Sequence, residues 1–154
     1  MPEAGLDAAA RSLRAWLNTE QFTDLPRHEA TRFFTDSVVK WGDGLGYQAQ
    51  REVPLPPHPR RPDRRTGRLD LRLTHRSGKG RALSIEIDRG DKQLSLDKLT
   101  QATERGDLAL WLRWGRQPVR LTIPPGIRLI RAHVLKRNAL NQPDRYSLQP
   151  DNCG

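Results

Sequence analysis

Hydrophobic and polar positions recur along this chain with two different periods, and the changes of period mark its elements. In residues 6–17, LDAAARSLRAWL, the positions Leu6, Ala9, Ala10, Leu13, Trp16 and Leu17 lie at helical spacing and predict an amphipathic helix. A second helix is predicted over 28–41, with Phe33, Phe34, Val38 and Trp41 as its apolar stripe, after Pro26 and before Gly42 and Gly44. Residues 46–55 read as a strand that runs into Pro54. From Arg68 the period becomes two. RLDLRLTH (68–75) sets Leu69, Leu71 and Leu73 on one face and Asp70 and Arg72 on the other. RSGKG (76–80) is a hairpin turn. RALSIEID (81–88) then turns Leu83, Ile85 and Ile87 inward, with Ser84, Glu86 and Asp88 opposite. After a break at RGDKQ, residues 94–106 predict a helix stopped by Gly106. DLALWLRW (107–114) is apolar enough for a strand covered on both faces. Two more strands are predicted at 119–124 and 126–135, followed from Lys136 by a polar, loose tail.

That order predicts an α/β (α+β) fold, a mixed central sheet flanked by helices. At 154 residues the chain holds one core of ordinary size, expected over 1–135 with 136–154 as the tail. No apolar run approaches a membrane span, and the first residues lack the apolar core of a signal peptide. The single cysteine, Cys153, excludes an internal disulfide and has no metal-ligand spacing, which points to a cytoplasmic protein.

Charge alters the picture. The formal net charge is +9, carried by 22 Arg and 5 Lys, and calls for a polyanionic partner, nucleic acid first. Residues 54–68, PLPPHPRRPDRRTGR, hold five prolines and five arginines (Arg60, Arg61, Arg64, Arg65 and Arg68) against one acid, Asp63. Proline removes strand donors and the arginines repel one another, so an extended basic loop is expected. It is either a solvated linker or an arm that follows a phosphate backbone.

Against this basic background one acidic group stands out. Period-two geometry and the short turn at 76–80 bring Asp70, Glu86 and Asp88 to one face of two neighbouring antiparallel strands. Three adjacent carboxylates repel unless a cation joins them, and an oxygen-only set suits Mg²⁺ or Mn²⁺. The alternative is that these acids face solvent and pair with Arg72, Arg81 and Arg89. His28, His58, His75 and His133 are scattered without ligand spacing, and Trp111 and Trp114 sit on the apolar strand as core residues. Gly42, Gly44 and Gly46 follow a helix and precede a strand, the wrong order for a phosphate-binding loop.

With these residues in place, the segment from about His28 to Trp114 resembles the core of the PD-(D/E)xK nuclease superfamily. That restriction-endonuclease-like core runs helix, three strands, helix, strand (αβββαβ). The resemblance makes Asp70 of GRLDLRL the second-strand aspartate and Glu86 of SIEID the first residue of the third-strand motif. It also implies accessory roles for Glu29 on the first helix and Gln101 on the helix after the third strand. The family's lysine would fall at position 88, where this chain has Asp88. More loosely, Glu86, Asp88 and Gly90 are similar to the Glu-x-Asp-x-Gly variant of plasmid replication-relaxation proteins, in which a downstream helix carries the lysine. Lys98 is then the expected donor and Lys92 the reserve; the plainer reading of Lys98 is a solvated lysine paired with Asp97 or Asp91.

The resemblance implies a metal-dependent nuclease hydrolysing DNA, with RNA the lesser alternative. Asp70, Glu86 and Asp88 would hold Mg²⁺ or Mn²⁺, Lys98 would orient the attacking water, and the arginines of 60–68 would grip the backbone. Enzymes of this fold often dimerise to cut both strands, so a homodimer or larger complex belongs to the expectation. The alternative is a catalytically degenerate fold that binds nucleic acid as an accessory protein of a plasmid, phage or mobile element.

Overall fold

In the computed structural model, residues 2–57, 60 and 67–153 are described. The chain runs α1 (Pro2–Leu17), β1 (Phe22–Leu25), α2 (Arg27–Gly44), β2 (Tyr47–Pro54), β3 (Arg68–His75) and β4 (Leu83–Asp88). It continues through α3 (Gln93–Glu104), β5 (Leu108–Arg113), β6 (Ile127–Arg131), β7 (Leu135–Arg137) and β8 (Arg145–Leu148). Five strands form one mixed sheet in the order β2-β3-β4-β5-β6. The first three are antiparallel neighbours, whereas β5 joins β4, and β6 joins β5, in parallel. From α2 to β5 the order is helix, three strands, helix, strand, as expected for the 28–114 segment.

The alternation read from the sequence becomes two cores. On one face, Leu6 and Leu13 of α1 and Phe34, Val38 and Trp41 of α2 pack against Leu71, Leu73, Ile85, Ile87, Leu110, Leu112 and Trp114. On the other, Leu96, Leu99 and Ala102 of α3 cover Ala109, Trp111 and Ile127. Side chains of β5 thus alternate between two apolar layers, and five of its six residues are buried. Leu69 departs from its expected partners: it joins the α3 layer with Leu55, while Leu71 and Leu73 face α2. The change falls where the β2–β3 ladder is interrupted. Arg51 pairs with Leu71 and Val53 with Leu69, but Glu52, at φ 53°, drops out between them.

Three expectations are corrected. Residues 119–124 form no strand. Pro118 and Pro124 remove donors at both ends, and the Arg120 N–H goes to the Asp91 carboxylate (2.8 Å) instead of a neighbouring strand. Val119, Leu121 and Ile123 still pack against the α3 layer, which explains their alternation. The 126–135 segment divides between β6 and β7, which belong to different sheets. The C-terminal residues are not a loose tail: β8 pairs with β7 and with β1, a strand in the stretch between the two predicted helices, where no element was expected. Tyr146 and Leu148 are buried in the first core, and Asn152 donates to the Leu17 carbonyl at 2.8 Å. Among the described residues no helix is long and apolar enough to cross a membrane.

Candidate active site

The ladder between β3 and β4 holds only from Leu71↔Ile85 to Leu73↔Leu83. Beyond it the strands part, and backbone donors that a longer ladder would satisfy are left over. Two carboxylates take them. The Asp70 N–H donates to Glu86 Oε2 at 3.0 Å, and the Ile87 N–H donates to Asp70 Oδ2 at 2.8 Å. Each acid is therefore fixed by the other's strand, a reciprocal arrangement set by the end of pairing.

A lysine completes the group. Lys98 sits one turn into α3, on the side that packs on the sheet, and its ammonium lies 2.5 Å from Glu86 Oε1. It also donates to the Arg68 carbonyl at 2.9 Å. Both partners are removed from water, Glu86 at 1 % exposure and Lys98 at 9 %. Burial pushes the Glu86 carboxyl up to about 8, and the Asp70 carboxylate adds to the rise through its hydrogen bond and charge. Lys98 opposes both without cancelling them. The result is an acid held near neutrality beside a cation, and proton transfer at neutral pH needs groups poised in this way.

The root of the basic segment lies at the same place. The Leu55 N–H donates to the Gly67 carbonyl (3.2 Å), closing the chain at the two ends of the Pro/Arg stretch. A Cβ placed on Gly67 would meet Cδ of the Lys98 stem, so the segment passes close by it, and Gln101 donates to the Pro56 carbonyl at 2.7 Å. Arg60 and Arg68 are exposed, while Arg61, Arg64 and Arg65 lie outside the described residues.

Not every expected residue converges here. Asp88 projects toward the same face but accepts a hydrogen bond from the Trp111 indole at 2.9 Å. Among the described residues, no group of three or more His, Cys, Asp and Glu side chains is gathered to hold a metal. The three expected acids thus divide into the pair Asp70–Glu86 and a separate Asp88. Glu29 is exposed in the first turn of α2, the helix on the opposite face of the sheet, and Lys92 is exposed at the start of α3. Gln101 braces the segment after β2 rather than the acids.

The alternative pairings are not those found. Arg72 forms a two-bond pair with Asp107 (2.9 and 3.1 Å), Arg81 donates to the Gly106 carbonyl, and Arg89 donates to the Tyr146 hydroxyl. Asp97 is bound by Gln93 and Asp91 by Arg113, which leaves Lys98 to Glu86. Sequence reasoning missed Asp107, which also accepts from the buried Ser84 hydroxyl at 2.8 Å. Burial raises its carboxyl, but the Arg72 and Ser84 hydrogen bonds outweigh this and hold it below the usual range. The burial of Ser84 on the face shared with Glu86 reveals it, and alternation alone gave no signal for this. Trp111 and Trp114 are fully buried core residues.

No family model and no curated protein sequence matches the chain. Among solved structures it is similar to that of Pyrococcus furiosus SfsA in complex with Ca²⁺, at 12 % identity and a TM-score of 0.44. That likeness covers 79 % of this chain, and the chain spans 64 % of the length of that one.

Proposed function

We propose that this chain is a metal-dependent phosphodiesterase of the nuclease type that hydrolyses nucleic acid, DNA before RNA. The observation that carries the reading is the reach of Lys98 from α3 to Glu86, beside Asp70. It supplies from the helix the cation that position 88 lacks. The donor set suits a hard divalent ion: two neighbouring carboxylates, with Glu86 Oε1 buried and held by no hydrogen bond besides the Lys98 ion pair. Asp70 and Glu86 would hold Mg²⁺ or Mn²⁺, which supplies Lewis acidity and a more acidic bound water. Lys98 places fixed positive charge where an attacked phosphate gains negative charge. Because burial and Asp70 raise the Glu86 carboxyl, the ion would have to displace its proton, so metal binding should strengthen as the pH rises. The arginines of 60–68, rooted beside Lys98 through Leu55 and Gly67, would supply salt-dependent affinity for the backbone.

A second reading is a nuclease fold that binds nucleic acid without cutting it, as an accessory protein would. It is favoured by the engagement of Asp88 with Trp111 and by the neutralisation of Glu86 by Lys98. Labelled single- and double-stranded DNA with Mg²⁺ or Mn²⁺ separates the two, using Glu86→Ala and Lys98→Ala as controls. Cleavage by the wild type and its loss in both variants is the expected result. Salt-sensitive binding with no cleavage replaces the first reading with the second.

A further inference from the structure

Besides the Glu86 group, the molecule carries a second concentration of charge where the parallel strands β4 and β5 end. Two adjoining hollows, of about 110 and about 410 Å³, share Arg89 and Tyr146 as a common wall. Arg116 and Lys136 line the smaller one, and Arg27 lines the larger. Asp144 is the one carboxylate lining either hollow, and it is paired with Lys136 at 3.2 Å. Arg27, Arg89 and Arg116 are exposed and have no carboxylate partner among the described residues.

These arginines stand on a stiff base. Arg113 is fully buried inside β5, and its guanidinium donates to the carbonyls of Gly115 (3.0 Å) and Pro118 (3.3 Å). Arg131 of β6 donates to Gly115 (2.8 Å) and Gln117 (2.7 Å). The loop that presents Arg116 is therefore held through its own backbone oxygens. Arg113 also pairs with Asp91, which ties the loop after β4 to the loop after β5. A side chain on Gly115 would collide with the Arg89 carbonyl, so the two loops touch backbone to backbone. Burying one arginine and half-burying another to brace the loop at Gly115, Gln117 and Pro118 is costly, and it fixes the rim arginines before any ligand arrives.

Arg89 follows Asp88 directly and lies three residues beyond Glu86, so the wall that the two hollows share continues the strand that carries Glu86, with the larger hollow on the α2 side beside Arg27 and His28. A planar guanidinium matches phosphate oxygens two at a time, and a row of unpaired arginines on a braced rim fits a polyanion. We propose that Arg89 and Arg116, supported by Lys136 and Arg27, form a phosphate clamp for a nucleic-acid backbone where β4 and β5 end, apart from the Glu86–Lys98 site. The clamp rests on the reading of that site as one that acts on nucleic acid.

The test is equilibrium binding of a fluorescent DNA duplex and single strand in EDTA, across a salt series, so that turnover plays no part. Wild type is compared with Arg116→Ala, with R89A/R116A, and with R51A/R76A. The last removes equal charge at two arginines already paired with Asp36 and Asp43. Losing two phosphate contacts should lower the salt slope by about two and weaken binding roughly tenfold or more, whatever the sequence. The R51A/R76A protein should keep the wild-type slope. Arg116→Ala alone should lower the slope by about one. Its side chain is exposed, so this result does not depend on how well the double variant folds. Equal slopes for R89A/R116A and R51A/R76A overturn the clamp, as does a wild type that binds no DNA. Inorganic phosphate binding that Arg116→Ala abolishes, with DNA affinity unmoved, also overturns it in favour of a free phosphate. Arginine-dependent binding by a protein that cuts nothing upholds the clamp and removes the hydrolytic reading. Cleavage unaffected in both rate and affinity by R89A/R116A does the reverse.

Discussion

Replacing Glu86 with glutamine isolates the physics of the buried pair. The substitution keeps the side chain's shape and removes its titration. In the folded protein the Glu86 carboxyl lies at about 8 instead of the usual 4.5, chiefly through burial, with a further rise from Asp70. A raised acid binds its proton more tightly in the folded than in the unfolded state. Its contribution to stability is therefore complete below pH 4.5, falls as the pH rises, and is gone above about 8. At about 1.4 kcal/mol per pH unit, that interval is worth up to about 5 kcal/mol. Glu86 is only 1 % exposed, so water screens little of this. The assay is urea unfolding in EDTA from pH 5 to 9, followed through the fluorescence of the buried Trp111 and Trp114. With a urea dependence of roughly 2 kcal/mol per molar, the wild-type midpoint should fall by roughly 2 M relative to that of Glu86→Gln. The offset at pH 5 reports how well glutamine fits, and the slope carries the prediction. A difference between the two proteins that stays constant from pH 5 to 9 would refute the reasoning, because Glu86 would then ionise as freely as in the unfolded chain.

Asp107→Asn should cost about 2 kcal/mol in the same unfolding assay, because Arg72 loses its counter-charge while keeping 29 % of its side chain in water. The lowered Asp107 carboxyl predicts that wild type loses this advantage as the pH falls below about 4, so the two proteins should converge in acid. Gly115→Ala should destabilise by about 1–3 kcal/mol, since the new methyl group falls on the Arg89 backbone, and calorimetry would show a lowered Tm. Leu148→Ala should cost about 2–5 kcal/mol in urea, as at any fully packed leucine. A cost near zero would mean that the C-terminal strand is not part of the core.

The legible parts of the fold were those with a clean period and an apolar face. RLDLRLTH and RALSIEID announced β3 and β4, and with them the shared face of Asp70 and Glu86. The same reading named Lys98, because a cation was missing from position 88 and the next helix offered one a turn inside its start. Other features depend on contacts distant in sequence. The four residues of β8, RYSL, are too few to show a period, and β1 acquires its meaning only from β8, more than a hundred residues away. Arg113 is buried in an apolar strand because its charge is met by Asp91 and by the carbonyls of its own loop, partners that no period in the sequence announces. Asp88 followed the alternation and still left the acidic pair, because a tryptophan on the neighbouring strand offered its indole N–H. Alternation fixes the face of a strand to which a side chain belongs, but hydrogen-bond competition across the sheet fixes its partner.

The outer strand of the sheet bears on how copies of this protein meet. β2 is an edge strand, much of it exposed, and an open edge invites another chain to extend the sheet. Here the invitation is withdrawn in three ways: Glu52 leaves the ladder at a positive φ, Arg51 and Glu52 place charge on the rim, and Pro54 ends the strand without a donor. Sheet-to-sheet growth is blocked at that edge, so concentrated protein should resist fibril formation from this side. Any two-fold assembly of this chain would use a surface other than the β2 edge.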